Sequence, residues 1–479
     1  MPPRRLQDVQ AEKPKRQRGR KPSAAPRRRK KPGASPVLER LNLNAAGIDV
    51  GAECHYVAVP ADRDDQAVRR FGAFTMDLHA IAVWLKQCQI DTVALESTGV
   101  YWIPLVEVLE EEGFEVLLVD PHKIKHVPGR KTDVLDCQWI QELHSLGLLT
   151  SAFRPSGEFC SLRSYSRQRD MLITGGSDHV RRMQKALTEM NIKLTEVLSN
   201  ITGTTGMKII RAILAGERDP LRLAQLRDGR CRNSEETIAL ALEGNWRDEH
   251  LFALRQAVEA YDFCQGQIAD CDREIEAQLA SMPARRPDLP PLETRPKGHA
   301  SHPLAFGGYE HLHRIAGIDV TQLPGLDAPS VLGILSEVGT DMTKWRHDKA
   351  FASWLAVCPG SKVTGGKRLS SRSRRSANRA AKLFRLAAYG LQHSNTYLGA
   401  HYRRMKARLG APKAITATAH KLARIFYAMM RDGTEYVEKG PEYYEKRYRE
   451  RAITNLKRNA RRLGYQVVPG EAAAVAAAA

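Results

Sequence analysis

The sequence predicts an α/β protein: a mixed sheet with helices on its faces, then a long helical region, then a mostly helical C-terminal domain. Residues 43–155 alternate short apolar runs with helically spaced ones. Residues 180–201 and 251–282 carry apolar side chains in alternating three- and four-residue steps, the mark of a coiled-coil seam. Residues 311–440 place apolar helical stretches behind a Pro-Gly turn.

Asn44–Pro60 reads as two short strands about a turn at Gly51, with Ala45, Ala46 and Ile48 before it and Tyr56, Val57, Ala58 and Val59 after it. Phe71–Met76 is a third strand candidate. Asp77–Gln87 has helical spacing through Ile81, Trp84 and Leu85, and Thr92–Leu95 is a buried strand. Trp102–Glu112 is a helix stopped by Gly113, and Glu115–Val119 is a strand closed by Pro121. Strands in a hairpin followed by alternating helix and strand build a mixed sheet. The first seam runs Val180, Met183, Leu187, Met190, Leu194, Val197, Ile201. The second runs Leu251, Leu254, Val258, Tyr261, Ile268, Ile275, Met282, with Gln265 and Asp272 as polar interruptions. Two such helices form an antiparallel hairpin or a dimer arm, and the Met stripe is core rather than a cofactor pocket. Leu323-Pro-Gly-Leu-Asp precedes an apolar helix in the manner of a helix–hairpin–helix turn or a plain Pro-Gly turn. Two further helices, Asn378–Gln392 and Pro412–Met430, follow a loop at Cys358–Arg375. The boundaries expected are a basic tail at 1–42, an α/β domain at 43–155, a helical region at 156–282, a Pro/His-rich linker at 283–310, a C-terminal domain at 311–440, and a basic helix with an Ala-rich end at 441–479.

Charge narrows the function. The chain of 479 residues has 74 Lys+Arg against 54 Asp+Glu, a net charge of +20, which points to a polyanionic partner and here to nucleic acid. The first forty residues hold 14 Lys/Arg against 3 acids and are too poor in aliphatics to form a core. A hydrophobic fraction of 42% excludes wholesale disorder. No apolar run suits a membrane span and no signal peptide is expected. Eight Cys without paired spacing read as reduced thiols, so a cytoplasmic, nucleoid-associated protein is expected. His299, His302, His311 and His313 have no Cys pair beside them and do not suggest zinc.

Four acids stand where a metal site wants them. Asp49 ends an apolar strand before Gly51, and Glu96 follows the strand Thr92–Leu95. Asp133 and Asp136, three residues apart, project from one face of a helix. Such carboxylates suit a pair of Mg²⁺ ions acting on a phosphodiester. Singly, each has a structural alternative: Asp49 as a turn cap, Asp133 as a helix N-cap.

Gly47-Ile-Asp-Val, Leu95-Glu-Ser-Thr-Gly-Val-Tyr-Trp and Lys131-Thr-Asp-Val-Leu-Asp resemble the three signatures of the DEDD-type insertion-sequence transposases. Their relatives include the Piv-type DNA invertases and the bridge-RNA-guided recombinases. The resemblance covers most of residues 43–440 and implies a RuvC-like, RNase H-type fold with Asp49, Glu96, Asp133 and Asp136 as a metal-binding tetrad. It further implies a C-terminal domain whose Ser, followed by Gly, is the nucleophile that joins covalently to DNA. Here that position, before Gly365-Gly366, is Thr364. A Thr hydroxyl can attack phosphorus, although its methyl group restricts χ1. Ser361 and Ser370 are the alternatives. Lys367, Arg368, Arg372, Arg374, Arg375 and Arg379, interleaved with Ser, form a phosphate-contacting cluster. A P-loop is excluded, because Lys367 is followed by Arg368.

The expected function is that of an Mg²⁺-dependent DNA transposase or recombinase. The resemblance implies element-end and target DNA and a structured guide RNA as partners. Self-association through the seam helices is expected as well. A junction-type nuclease without a covalent adduct, or a non-catalytic nucleic-acid-binding relic, are the alternatives. Tyr443, Tyr444 and Tyr448 in the basic helix Tyr443–Arg462 are candidates for stacking on unpaired bases.

Overall fold

The computed structural model describes residues 39–97, 99–121, 132–290, 292 and 302–468. The basic run up to residue 38, Thr98, residues 122–131 with Lys131, residues 291 and 293–301 of the Pro/His-rich linker with His299, and the Ala-rich end from 469 lie outside the described residues. Two compact units meet in sequence between Phe153 and Arg154.

In the first unit, β1 (Ala45–Val50), β2 (Cys54–Ala58) and β3 (Val68–Gly72) form an antiparallel meander. Helix α1 (Thr75–Gln87) leads to β4 (Thr92–Glu96), and α2 (Trp102–Glu111) leads to β5 (Glu115–Val119). Both of these strands add parallel beyond β1, giving the order β3-β2-β1-β4-β5. Helix α3 (Asp133–Ser145) follows. Strand alternation gives β1 two buried faces. Ala46, Ile48 and Val50 meet Ile81, Leu85, Leu105 and Leu109 of α1 and α2, where each fully buried aliphatic side chain contributes roughly 1.5–3 kcal/mol. Gly47 faces α3, and Ala94, Val119 and Ile140 form a smaller core on that side. The third strand lies earlier than the Phe71–Met76 expected, because the Asp77 carboxylate accepts the Phe74 backbone N–H at 3.1 Å and turns Thr75 and Met76 into the start of α1.

The second unit opens with α4 (Gly157–Glu189), 33 residues long. The short helices α5 (Leu194–Val197), α6 (Thr204–Leu214), α7 (Pro220–Ala224) and α8 (Glu235–Ala241) form a head at its end. Helix α9 (Asp248–Ser281) then returns antiparallel along α4. The first seam does not stay helical to Ile201. Asn191 takes φ +58°, a left-handed conformation that Asn tolerates, and ends the helix. Leu194 and Ile201 nonetheless join Met183, Leu187 and Met190 in one core with Leu254 and Val258 of α9, so the spacing reported a shared core rather than a single helix. Of the two polar seam positions, Asp272 is buried and takes the Arg169 guanidinium at 2.6 Å. Arg169 also donates to the Pro303 carbonyl, and Asp272 accepts from the Ala305 N–H, tying the end of the linker to the hairpin. Removing one partner of such a buried pair costs about 3–5 kcal/mol. The two seams are satisfied against each other within one chain.

Helix α10 (Gly308–Ala316) precedes the Leu323-Pro-Gly-Leu turn, where Gly325 has φ +89° and Asp327 caps α11 (Ala328–Val338) by accepting from Ser330 N–H. Helix α12 (Asp348–Trp354), strands β6 (Lys362–Thr364) and β7 (Lys367–Ser370), and helices α13 (Arg379–Gly390), α14 (Tyr397–Leu409), α15 (Ala411–Asp432) and α16 (Gly440–Arg462) complete the unit. Phe351, Phe384 and Phe426 interlock at its centre with ring centroids 5.5–6.4 Å apart. The head and this region share an order of elements. In each, a Gly-containing turn leads to an 11-residue helix (α6, α11), an Asp-capped short turn of helix follows (Asp219, Asp341), and a seven-residue helix closes the set (α8, α12).

Candidate catalytic site

The ladder positions two of the four acids. Ile48 pairs with Leu95 across parallel β1 and β4, so the next step sets Asp49 beside Glu96 on neighbouring strands about 4.8 Å apart. In a parallel pair these side chains share a face, and Gly47 and Ala94, two residues earlier, lie on the α3 side. Asp49 and Glu96 therefore point toward α3 as well. Glu96 is buried and Asp49 half-buried.

Helix α3 brings the other two. It runs antiparallel to β1: Ser145 at its C-terminal end accepts from the Leu41 and Asn42 N–H groups, Gln141 donates to the Ala45 carbonyl at 3.1 Å, and Gly47 meets Cys137 and Gln141. Asp49 lies about 6.6 Å further along the strand, which corresponds to about four helical residues back toward the N-terminus of α3. That step reaches the first turn, which holds Asp133 and Asp136. The Cys137 thiol gives an electrostatic check on this placement. Its pKa is pushed up to about 12, first by burial and next by the Asp49 charge, with Asp136 adding to it. The first turn is capped by Thr132, whose hydroxyl accepts from Leu135 N–H, so Asp133 is not the N-cap that its structural alternative required. Both acids sit at the positive end of the α3 dipole, where negative charge is favoured.

Gly47 permits this seating. A Cβ there would stand 2.2 Å from the Gln141 nitrogen and 2.4 Å from the Cys137 carbonyl oxygen, both backbone atoms of α3. Gly47→Val is expected to push α3 off the sheet, abolishing strand cleavage and lowering the thermal midpoint by several degrees, as calorimetry beside a cleavage assay would show. Wild-type cleavage in a folded Gly47→Val protein would mean that the seating of α3 is irrelevant.

Among the described residues, no group of three or more His, Cys, Asp or Glu is drawn together closely enough to enclose one ion. The backbone brings the four acids to one end of the sheet, and their like charges favour separated side chains. The donor chemistry fits a hard divalent cation, since every group is a carboxylate. Sequence reading passed over Asp120, which follows β5 at the same carboxyl edge of the parallel strands and is half-buried. Its signal was the Val119-Asp-Pro strand ending.

The C-terminal candidates lie in the second unit, in a hairpin where a loop was expected. β6 and β7 pair antiparallel with Thr364 opposite Lys367, and the ladder is extended by a Pro359–Ser373 bridge. Gly365 and Gly366 take φ +55° and +77°, the pair of positive values that a two-residue type I′ turn demands and that glycine adopts without strain. Thr364 is thus the last strand residue before the turn, and it is exposed. Ser370 accepts from the Arg372 N–H at 3.2 Å, while Ser361 lies just before β6 and is exposed. Lys367, Arg372, Arg374 and Arg375 are exposed. Arg379, at the start of α13, faces Asp170 at 3.7 Å. The Arg368 side chain lies outside what is described.

Of the three candidate tyrosines on α16, Tyr443 and Tyr448 stay exposed and only Tyr444 is buried. Tyr444 is buried against Tyr397 and His401, and the Arg404 guanidinium lies 3.4 Å over the Tyr448 ring. The expected base-stacking role is therefore closed to Tyr444, whose ring is packed between α14 and α16.

Residues 46–192 match the transposase family DEDD_Tnp_IS110, a span that contains Asp49, Glu96, Asp133 and Asp136. Residues 319–403 match the Transposase IS116/IS110/IS902 family, a span that contains the hairpin and its basic cluster. A search of curated proteins returned no match.

Proposed function

Since the chain belongs to the IS110-type DEDD transposases and is accordingly a DNA transposase, we propose that it cuts and rejoins DNA with the Thr364 hydroxyl as nucleophile and with Asp49, Glu96, Asp133 and Asp136 as its metal-holding carboxylates. The observation that supports this most is the antiparallel seating of α3 on β1, which carries two helix acids to the end of the strands that hold the other two. The four carboxylates would hold Mg²⁺. When bound, the cation supplies charge stabilisation at a phosphate undergoing displacement.

The remaining chemistry belongs to the chain. The Thr364 oxygen forms a bond to phosphorus as the bond to one strand's oxygen breaks; the hydroxyl proton is lost and the departing oxygen takes one up. The bond energy is kept in a threonyl phosphoester, and a strand hydroxyl reverses the step to complete exchange. The type I′ turn favours this role for Thr364 over Ser361 and Ser370, because it holds Thr364 exposed at a defined corner with Lys367 across the ladder. Lys367, Arg368, Arg372, Arg374, Arg375 and Arg379 would position the phosphate backbone. A structured guide RNA, self-association and a cytoplasmic, nucleoid-associated setting complete the proposal. The net charge of +20 supports a nucleic-acid partner. The seam helices offer no support for self-association, because they pair within one chain. No helix among the described residues is long and apolar enough to cross a membrane.

The test is isolation of the protein with its bound nucleic acid. Sequencing of that material and a denaturing gel in Mg²⁺ should reveal element-end sequences and a protein–DNA adduct. Cleaved strands with no adduct would favour a water-using nuclease, and neither cleavage nor adduct would favour a binding relic.

A further inference from the structure

Helix α13 buries Ala380, Ala381, Phe384, Ala387 and Ala388 in the core. Its outer face carries Arg379, Lys382, Leu386 and Tyr389 at steps of three, four and three, so they form one stripe. The stripe changes character along its length. Two cations stand at the N-terminal end, and two large apolar groups at the other, with Leu386 56% and Tyr389 52% exposed. Beside it opens a cavity of about 470 Å³, lined by Lys382, Leu386 and Tyr389 of α13, by Ile415 of α15, and by Ser376 and Asn378 at the helix start. The hairpin that carries Thr364 ends at Ser370, and residues 371–378 join it to this helix, which begins at Arg379.

An exposed Leu–Tyr pair costs solubility unless something covers it, and the charge around it restricts what that is. Arg374, Arg375, Arg379 and Lys382 lie within the same stretch, and Asp170, which faces Arg379 and Lys382, offsets only part of that charge, so the surplus favours an anionic occupant. Arg385, also at the cavity, donates to the Ala356 carbonyl at 3.2 Å, and Arg379 is shared with Asp170; Lys382 is the cation on the stripe nearest to the apolar end. Tyr389 lies seven residues beyond it, about 10 Å along the helix axis, within the reach of a nucleotide from phosphate to base. Aromatic faces with a nearby cation are the platform on which unpaired bases stack.

We infer that the cavity beside α13 receives an unpaired nucleobase, stacked on Tyr389 and walled by Leu386 and Ile415, with the adjoining phosphate at Lys382. This rests on the reading of the chain as acting on nucleic acid, but not on the carboxylates or on Thr364. A single strand of DNA opened for exchange and a single-stranded part of an RNA share this chemistry, and two arms of one experiment separate them.

The test uses the full-length protein in EDTA, so that no cleavage intervenes, with oligonucleotides carrying one unpaired 2-aminopurine in a DNA strand or in the matching RNA strand. Fluorescence quenching on binding is expected with one or both strands, and the strand that quenches identifies the source. Tyr389→Leu should remove most of the quenching and weaken single-strand binding about tenfold, while fully paired duplex binds as before. Tyr389→Phe, which keeps the ring, should retain the quenching and controls for folding. Lys382→Gln should lower the salt slope of binding by about one. Undiminished quenching in Tyr389→Leu, or no quenching with either strand, overturns the inference. Because no catalysis is read, a failure of the carboxylate or Thr364 assignments leaves this outcome separately decidable.

Discussion

Replacing Asp49 by Ala should abolish strand cleavage while DNA binding persists at wild-type affinity. Asp49 is half-buried at the carboxyl end of β1, with Ile48 and Val50 on either side packed into the opposite core. The strand therefore survives the change, and what is lost is one oxygen-donor group from the face shared with Glu96 and α3. Loss of an outer partner of a metal ligand already costs 10–100-fold, so loss of the carboxylate itself should cost more than about a hundredfold. A labelled-substrate cleavage assay in Mg²⁺ beside a mobility-shift titration separates the two effects. Cleavage at the wild-type rate would remove the tetrad from the chemistry.

The second large effect is at Thr364. Thr364→Ala should eliminate the covalent protein–DNA species on a denaturing gel, whereas Thr364→Ser should retain or increase it. The hairpin tolerates either change, because the type I′ turn is set by Gly365 and Gly366 and not by the residue before them. Serine keeps the hydroxyl and drops the methyl that restricts χ1. An undiminished adduct in Thr364→Ala would move the nucleophile to Ser361 or Ser370. Of these, Ser361 is the more exposed, since the Ser370 hydroxyl already accepts the Arg372 N–H.

Much of this was readable before any coordinates. The alternation of residues 43–119 announced a mixed sheet with helices, and the signatures around Asp49, Glu96 and Asp133 announced the acids together with their family. What sequence misjudged were local outcomes decided by a single group. The Asp77 carboxylate ended the third strand early. Asn191 stopped a helix whose apolar spacing ran on for ten residues. The Gly-Gly pair behind Thr364 closes a hairpin rather than lying in a loop, because both glycines adopt positive φ. In each case a capping or turn group decided the local outcome.

By itself, the sequence determined which functional groups are present, because residue types and their order state that four carboxylates, one hydroxyl before two glycines and a surplus of cations stand in the chain. Only the tertiary structure decided which of them meet. Parallel pairing of β1 with β4 and the antiparallel course of α3 over Gly47 bring residues nearly ninety positions apart to one edge. Intramolecular stacking withdrew Tyr444 and left Tyr389 outside. The physical reason is that a contact between distant residues depends on register and on the size of one side chain at the crossing, neither of which is written in a local pattern.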